Sequence, residues 1–97
     1  MLETRGDTLK VKAPMRMDNA RQLTTAGVAQ LDASVGAVDL GSVQIFDASA
    51  LAILLAWLRH ARAQGVDLQI RQAPPGLIAL AGLYGLDTLL PLASANQ

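Results

Sequence analysis

The chain has 97 residues, of which 52% are hydrophobic and 16% charged, and its eight basic and eight acidic residues leave no net charge. A chain of this length folds as one domain with one modest core, so we expect a single domain over residues 1–97. Without a basic excess there is no electrostatic attraction for nucleic acid, and without cysteine there are no disulfides, thiolate zinc sites or cysteine nucleophiles.

The N-terminal part of the chain predicts one strand and one helix. Residues 8–13 alternate apolar and polar side chains with a period of two, which is typical of a strand with one solvent-facing side. Pro14 ends this strand. Asp18 or Asn19 then provides the N-cap of a helix that extends through residues 20–31.

The central part predicts a strand, a long helix and another strand. Residues 37–40 form a short strand without clean alternation, as expected for a parallel strand covered on both faces. A second extended apolar segment, residues 43–46, leads to a helix that starts near residues 47–49 and ends at Gly65. Residues 66–71 alternate again as the next strand. The helix is long enough for a right-handed crossover between parallel strands.

The C-terminal part predicts a third helix and a short final element. Pro75 suits the first turn of a helix that passes through the apolar residues 77–84 and stops near Gly85. Residues 88–92 form an extended or helical piece that Pro91 ends. The order of elements predicts an α/β fold: a small, mostly parallel sheet with helices packed on it.

No segment of the sequence is suited to enter a membrane. The longest apolar run, residues 50–58, is far shorter than the about 20 residues that a membrane-spanning helix needs. Residues 1–7 lack the apolar segment of a secretory signal. We therefore expect a cytoplasmic protein without direct membrane insertion.

Side chains suited to catalysis or metal binding are few. His60 is the only histidine, and it lies with Arg59 and Arg62 at the polar end of the long helix, where cations complement the helix dipole. The aspartates lack the spacing of a metal site, and no glycine-rich phosphate loop is present. We expect a protein that is not an enzyme, with no catalytic residue, metal or cofactor. A further hypothesis is an enzyme or carrier that binds a small ligand or lipid in a pocket among Trp57, Leu80 and Tyr84. The alternative is ordinary core packing of the same residues.

Asp47 and Ser49 stand where the second extended segment meets the long helix. One interpretation is that either side chain caps the helix by accepting from its first free amides. The other is that the Ser49 hydroxyl is a point where phosphate is added or sensed, because free amides and the positive end of the helix dipole stabilise an anion. The residues alone leave both interpretations open.

Three segments, in this order, resemble the STAS domain family. Residues 38–55 are similar to its signature, in which a strand with Asp-Leu leads through a short loop to a D-S-S/T-G-L motif and an apolar helix. Residues 64–70 are similar to its return strand and residues 77–86 to its final helix. The resemblance covers about residues 8–92 and implies a STAS fold.

The resemblance implies a function through docking onto a partner protein. Residues 80–92 are more similar to MlaB-type members than to anti-sigma-factor antagonists. This implies docking onto the cytoplasmic ATPase of a phospholipid ABC transporter, and through that partner a position at the inner face of the inner membrane. The alternative is an anti-sigma factor antagonist that binds a kinase-like anti-sigma factor and is regulated by serine phosphorylation.

The residues that the resemblance implies as partner contacts are Asp47, Ser49, Leu51 and Leu54. In the phosphorylated antagonists the acceptor hydroxyl directly follows the aspartate, and Ala48 occupies that position here. Ser49 matches the second hydroxyl position and is the candidate phosphorylation site. The alanine therefore favours an interface role for this loop over a phosphorylation switch.

Overall fold

The computed structural model describes residues 1–94 and shows a five-stranded sheet with three helices packed on it. The strands are β1 (Leu2–Arg5), β2 (Thr8–Val11), β3 (Ala37–Asp39), β4 (Gln69–Ala73) and β5 (Leu92–Ser94). The helices are α1 (Ala20–Gln30), α2 (Ser49–Ala63) and α3 (Pro75–Leu83), and a short 3₁₀ helix, Met17–Asn19, precedes α1. The strands lie in chain order across the sheet; β1 is antiparallel to β2, and the later pairs are parallel.

Each α-helix connects two neighbouring parallel strands. Because all three crossovers advance in the same direction and such crossovers are right-handed, the helices cover the same face of the sheet. On that face Leu9, Val38 and Ile70 form one cross-strand row, and all three are buried in a single hydrophobic core. The predicted α/β fold with a mostly parallel sheet is confirmed.

The other face of the sheet is polar. Glu3, Lys10, Asp39 and Arg71 occupy one register row, in which acidic and basic side chains alternate across four strands. We expected β3 to be covered on both faces. Ala37 is indeed buried on this side, but Asp39 is only half-buried because no helix of the described chain lies over it.

The first strand, β1, was not predicted. It pairs with β2 through the two-residue connection of Gly6 and Asp7, and Gly6 has a φ of +59°, as the first position of a type II′ turn requires. A Gly-Asp pair between two short segments is a hairpin signal. The strand was missed because its residues are mostly polar, as is usual at the edge of a sheet.

Two predicted segments differ from the structure. Residues 43–46 form a connecting loop whose one bridge joins Phe46 to Met15, rather than a strand. At the C-terminus, Pro91 does not end the last element but precedes it, since β5 begins at Leu92. A proline at that position removes no donor from the strand itself.

Helices α1 and α2 approach closely where Gly27 faces Trp57. The Trp57 side chain is fully buried, and its Nε1 donates to the Thr24 carbonyl oxygen at 3.2 Å. A Cβ on residue 27 would come within 2.5 Å of Trp57 Cζ2. The glycine that weakens α1 as a helix is therefore what allows the indole ring to lie against its backbone.

Candidate functional site

Asp47 joins the start of α2 to the segment that precedes α1. Its Oδ1 accepts from the backbone N–H of Ser49 at 2.8 Å, and its Oδ2 accepts from the backbone N–H of Met17 at 3.0 Å. The Asp47 backbone N–H donates to the Met15 carbonyl oxygen at 3.1 Å. The side chain thus caps the first turn of α2 and fixes two separate loops to each other.

The two amide donors also set the charge of this carboxyl group. The Met17 N–H makes the largest contribution to lowering the pKa of Asp47, and the Ser49 N–H makes the next. The Ser49 hydroxyl and the positive charge of Arg16 lower this pKa further, whereas partial burial opposes them. Asp47 is therefore ionised at neutral pH and holds both loops there.

Ser49 is the first residue of α2 and is half-buried beside the Asp47 carboxylate. Its neighbour Ala48 is exposed, so the position directly after the aspartate presents a methyl group to solvent. The backbone N–H of Ser49, rather than its hydroxyl, makes the hydrogen bond to Asp47 described above. Phosphorylation of Ser49 stays a prediction.

An apolar groove with a volume of about 370 Å³ runs between the N-terminal half of α2 and the end of α3. Tyr84 is 58% exposed along it, and the preceding Leu83 is 79% exposed. Contiguous exposed apolar surface of this kind marks interaction sites in soluble proteins. The lining residues of this α2–α3 groove are Ala48, Leu51, Ala52, Leu55, Tyr84 and Leu86.

The structure buries two of the four predicted contacts. Leu54 is fully buried, and Leu51, 3% exposed, forms only part of the groove's floor. Both face the sheet because α2 packs that side onto the core. Leu54 is therefore a core residue rather than a surface residue, whereas its neighbours Ala52 and Leu55 line the groove.

The arginines of α2 are a sequence signal for the side of this helix that faces outward. Residues 48, 52, 55, 59 and 62 are spaced by three or four and share one side of the helix. Because Arg59 and Arg62 face solvent, counting back from them places the exposed Ala52 and the half-buried Leu55 on the outward side of the helix. The loops also contribute apolar surface that was missed, since both Met17, whose backbone N–H donates to Asp47, and Ile45, two residues before Asp47, are exposed.

The hypothesised pocket among Trp57, Leu80 and Tyr84 does not form as such. Trp57 is buried against α1, whereas Tyr84 lines the α2–α3 groove. Within residues 1–94, no group of three or more side chains is placed to hold a metal ion. In the same part of the chain, none of the helices has the length and hydropathy to span a bilayer.

Comparisons with known proteins agree on the fold. The family model described as Mlab, STAS domain, matches residues 2–91. An anti-sigma-factor antagonist (STAS) domain protein from Planctomyces limnophilus is similar in structure, with a TM-score of 0.76, 13% identity, and coverage of 96% of this chain and 89% of that one. The unphosphorylated Bacillus anti-sigma factor antagonist SpoIIAA gives a TM-score of 0.70, 13% identity, and coverage of 99% and 89%.

A segment of a membrane transporter shares this fold as well. The murine Solute Carrier 26 family member A9 anion transporter gives a TM-score of 0.61 and 12% identity over 90% of this chain, which corresponds to 14% of the transporter. At such identities the likeness concerns the fold alone. No curated protein matches the sequence.

Proposed function

The chain belongs to the MlaB-type STAS domain family, and we propose that it docks onto the cytoplasmic ATPase of a phospholipid ABC transporter and supports the assembly or activity of that ATPase. Domains of this family generally act through protein–protein contacts rather than through catalysis. The proposed position of the protein is the inner face of the inner membrane, where the ATPase holds it. The observation that carries the proposal is the exposed α2–α3 groove.

The groove has the composition of a protein interface. Two of its lining side chains, Ala48 and Ala52, are small, which lets a partner helix approach α2 closely. Leu55 and Tyr84 form its walls, and tyrosine is among the residues that contribute most to binding when a partner excludes water from them. None of the lining residues is charged. Burying this surface therefore removes apolar area from water without desolvating an ion.

The loop beside the groove is held rigid before any partner binds. Asp47 fixes the start of α2 and the Met17 segment through the hydrogen bonds described above. A surface that is already ordered loses little conformational entropy on association, which favours affinity. Asp47 and Ser49 are accordingly proposed as polar contacts at the end of the groove.

The proposal is tested by substituting an exposed alanine within the groove and a matched one outside it. Ala52→Arg puts a long charged side chain into the groove, whereas Ala29→Arg makes the same change on the exposed side of α1. Isothermal titration with the purified ATPase should give a defined Kd for the wild type, at least about a tenfold increase for Ala52→Arg, and less than about a twofold change for Ala29→Arg.

Two results would contradict the proposal. The first is that the wild-type chain shows no binding to the ATPase. The second is that Ala52→Arg binds as well as the wild type while circular dichroism shows it to be folded. Weaker ATPase binding by Ala29→Arg than by the wild type would also indicate that the contact lies away from the groove.

An anti-sigma factor antagonist is the second candidate function. It is favoured by the half-exposed Ser49 beside Asp47 and by the likeness to antagonist structures. The alanine at position 48 weighs against it, because no hydroxyl directly follows the aspartate. Incubation with a candidate kinase and ATP, followed by mass spectrometry, would support this function if phosphate appeared on Ser49 and not in Ser49→Ala. A chain that stays unmodified would contradict it.

A further inference from the structure

We infer that the partner element seated in the α2–α3 groove is an amphipathic helix whose apolar side chains fill the groove and whose carboxylates lie over Arg59 and Arg62. This inference rests on the proposed docking function and specifies the chemistry of the partner. The outward side of α2 carries the argument, because its two halves differ in chemical character.

The outward side of α2 is one continuous stripe. Its N-terminal half consists of Ala48, Ala52 and Leu55, which line the groove, and its C-terminal half consists of the exposed Arg59 and Arg62. With a rise of about 1.5 Å per residue, Arg59 lies about 10 Å along the helix from Ala52, and Arg62 about one turn further. A helix lying along α2 in the groove therefore passes over both guanidinium groups.

The two arginines have free hydrogen-bonding capacity. The ion pairs of the described residues involve Glu3, Asp18 and their basic partners, and none includes Arg59 or Arg62. Asp67 borders the same shallow depression as Arg62 but forms no ion pair with it. Both guanidinium groups are thus open to a carboxylate, which they can bind through two parallel N–H donors.

The other polar groups of α2 do not compete for the same ligand. His60 Nε2 and Gln64 Nε2 both lie within hydrogen-bond distance of the Leu31 carbonyl oxygen, at 3.1 and 3.3 Å, so they are directed toward the end of α1. At the N-terminal end, the Asp47 carboxylate is occupied by two backbone amides. The stripe therefore changes from neutral and apolar to positive in one direction only.

This polarity fixes how a partner helix lies on the domain. Apolar residues must face the N-terminal half of α2, and acidic residues must follow about two turns further along, because the reverse arrangement would bury carboxylates against alanine and leucine. An anionic membrane or a nucleic acid would use the positive charge but not the groove. The zero net charge of the chain also disfavours both of these surfaces.

Charge reversal on the stripe tests the inference. The double variant Arg59→Glu/Arg62→Glu is compared with Arg21→Glu, an exposed arginine on α1 that lies outside the groove lining. Titration of the purified ATPase at low salt should show at least about a tenfold weaker Kd for the double variant and less than about a twofold change for Arg21→Glu. The wild-type affinity should fall as salt is added. Reversing an acidic residue of the partner helix to arginine should restore binding of the double variant.

The outcomes separate this inference from the function on which it rests. If the wild type binds the ATPase and the double variant binds equally well while folded, the inference is overturned and the docking function stands. If the wild type does not bind, the docking function fails and the inference fails with it. Cosedimentation of the wild type, but not the double variant, with phosphatidylglycerol vesicles would assign the arginines to a membrane surface and overturn the inference.

Discussion

Replacement of Gly27 by alanine probes the contact that sets the distance between α1 and α2. The new methyl group would lie within 2.5 Å of Trp57 Cζ2 and closer still to Cε2 and Nε1, whereas carbon atoms in contact are about 3.5–4.0 Å apart. The indole ring must therefore move by more than about 1 Å. That movement also disturbs the hydrogen bond from Trp57 Nε1 to the Thr24 carbonyl oxygen.

The free energy of unfolding should fall as a result. Overpacking of a core site costs about 1–3 kcal/mol, and leaving the buried indole N–H without an acceptor costs about a further 1–3 kcal/mol. Alanine is a better helix former than glycine by about 1 kcal/mol, which offsets part of this loss. We expect Gly27→Ala to destabilise the protein by about 1–5 kcal/mol.

Urea unfolding followed by fluorescence and circular dichroism measures the change, because Trp57 is the only tryptophan. Gly82→Ala is the matched control: residue 82 is also a helical glycine, but nothing lies within 4 Å of the position of its Cβ. This variant should be neutral or stabilised by up to about 1 kcal/mol. A Gly27→Ala protein as stable as the wild type would refute the packing argument.

Three further predictions concern Asp47, the first hairpin and α2. The pKa of Asp47 is lowered in the folded state, so the stabilisation from its carboxylate is present above the unfolded pKa and is lost as pH falls through the folded pKa. The difference in urea midpoint between the wild type and Asp47→Asn should therefore be largest near neutral pH and should shrink below about pH 4. Gly6→Ala should cost about 1–2 kcal/mol in urea unfolding because of its positive φ, whereas Gly36→Ala, at an open position without one, should be tolerated. Leu54→Ala should lower the free energy of unfolding by about 2–5 kcal/mol because Leu54 is in the core. Leu55→Ala should weaken ATPase binding and cost less stability, because Leu55 lines the groove. The opposite pattern would reverse the assignment of core and surface on α2.

The order of the elements from β2 onward could be predicted because local patterns determine it. Alternation of apolar and polar residues identified β2 and β4, and the glycine at position 65 identified the end of α2. The bounds of β4 were harder to predict, since the strand begins three residues later than expected, at Gln69. Gln72 in this strand has a φ of +59° where the register with β5 shifts, and its side chain gives no local signal for that conformation.

The outward face of the site was less predictable than the fold. In α2 every residue from Ala50 to Leu58 is apolar, so the apolar pattern of this segment alone does not say which side of the helix faces the sheet. Leu54 and Leu55 are adjacent and chemically identical, yet one is in the core and the other lines the groove. Tertiary packing against the sheet and α3 makes that distinction. The hydrogen bond from the Met17 backbone N–H to Asp47 likewise joins parts of the chain that no local pattern connects.

The placement of all three helices on one face of the sheet has a consequence for stoichiometry. The alternating row of Glu3, Lys10, Asp39 and Arg71 leaves the opposite face with charges that neutralise one another and with little apolar area to bury. Within residues 1–94, we therefore expect the domain to engage its proposed partner through the helix-bearing face alone, so that one copy occupies one site on one subunit. In a transporter with two copies of the ATPase we expect two separate copies of this chain, each added without linking the other.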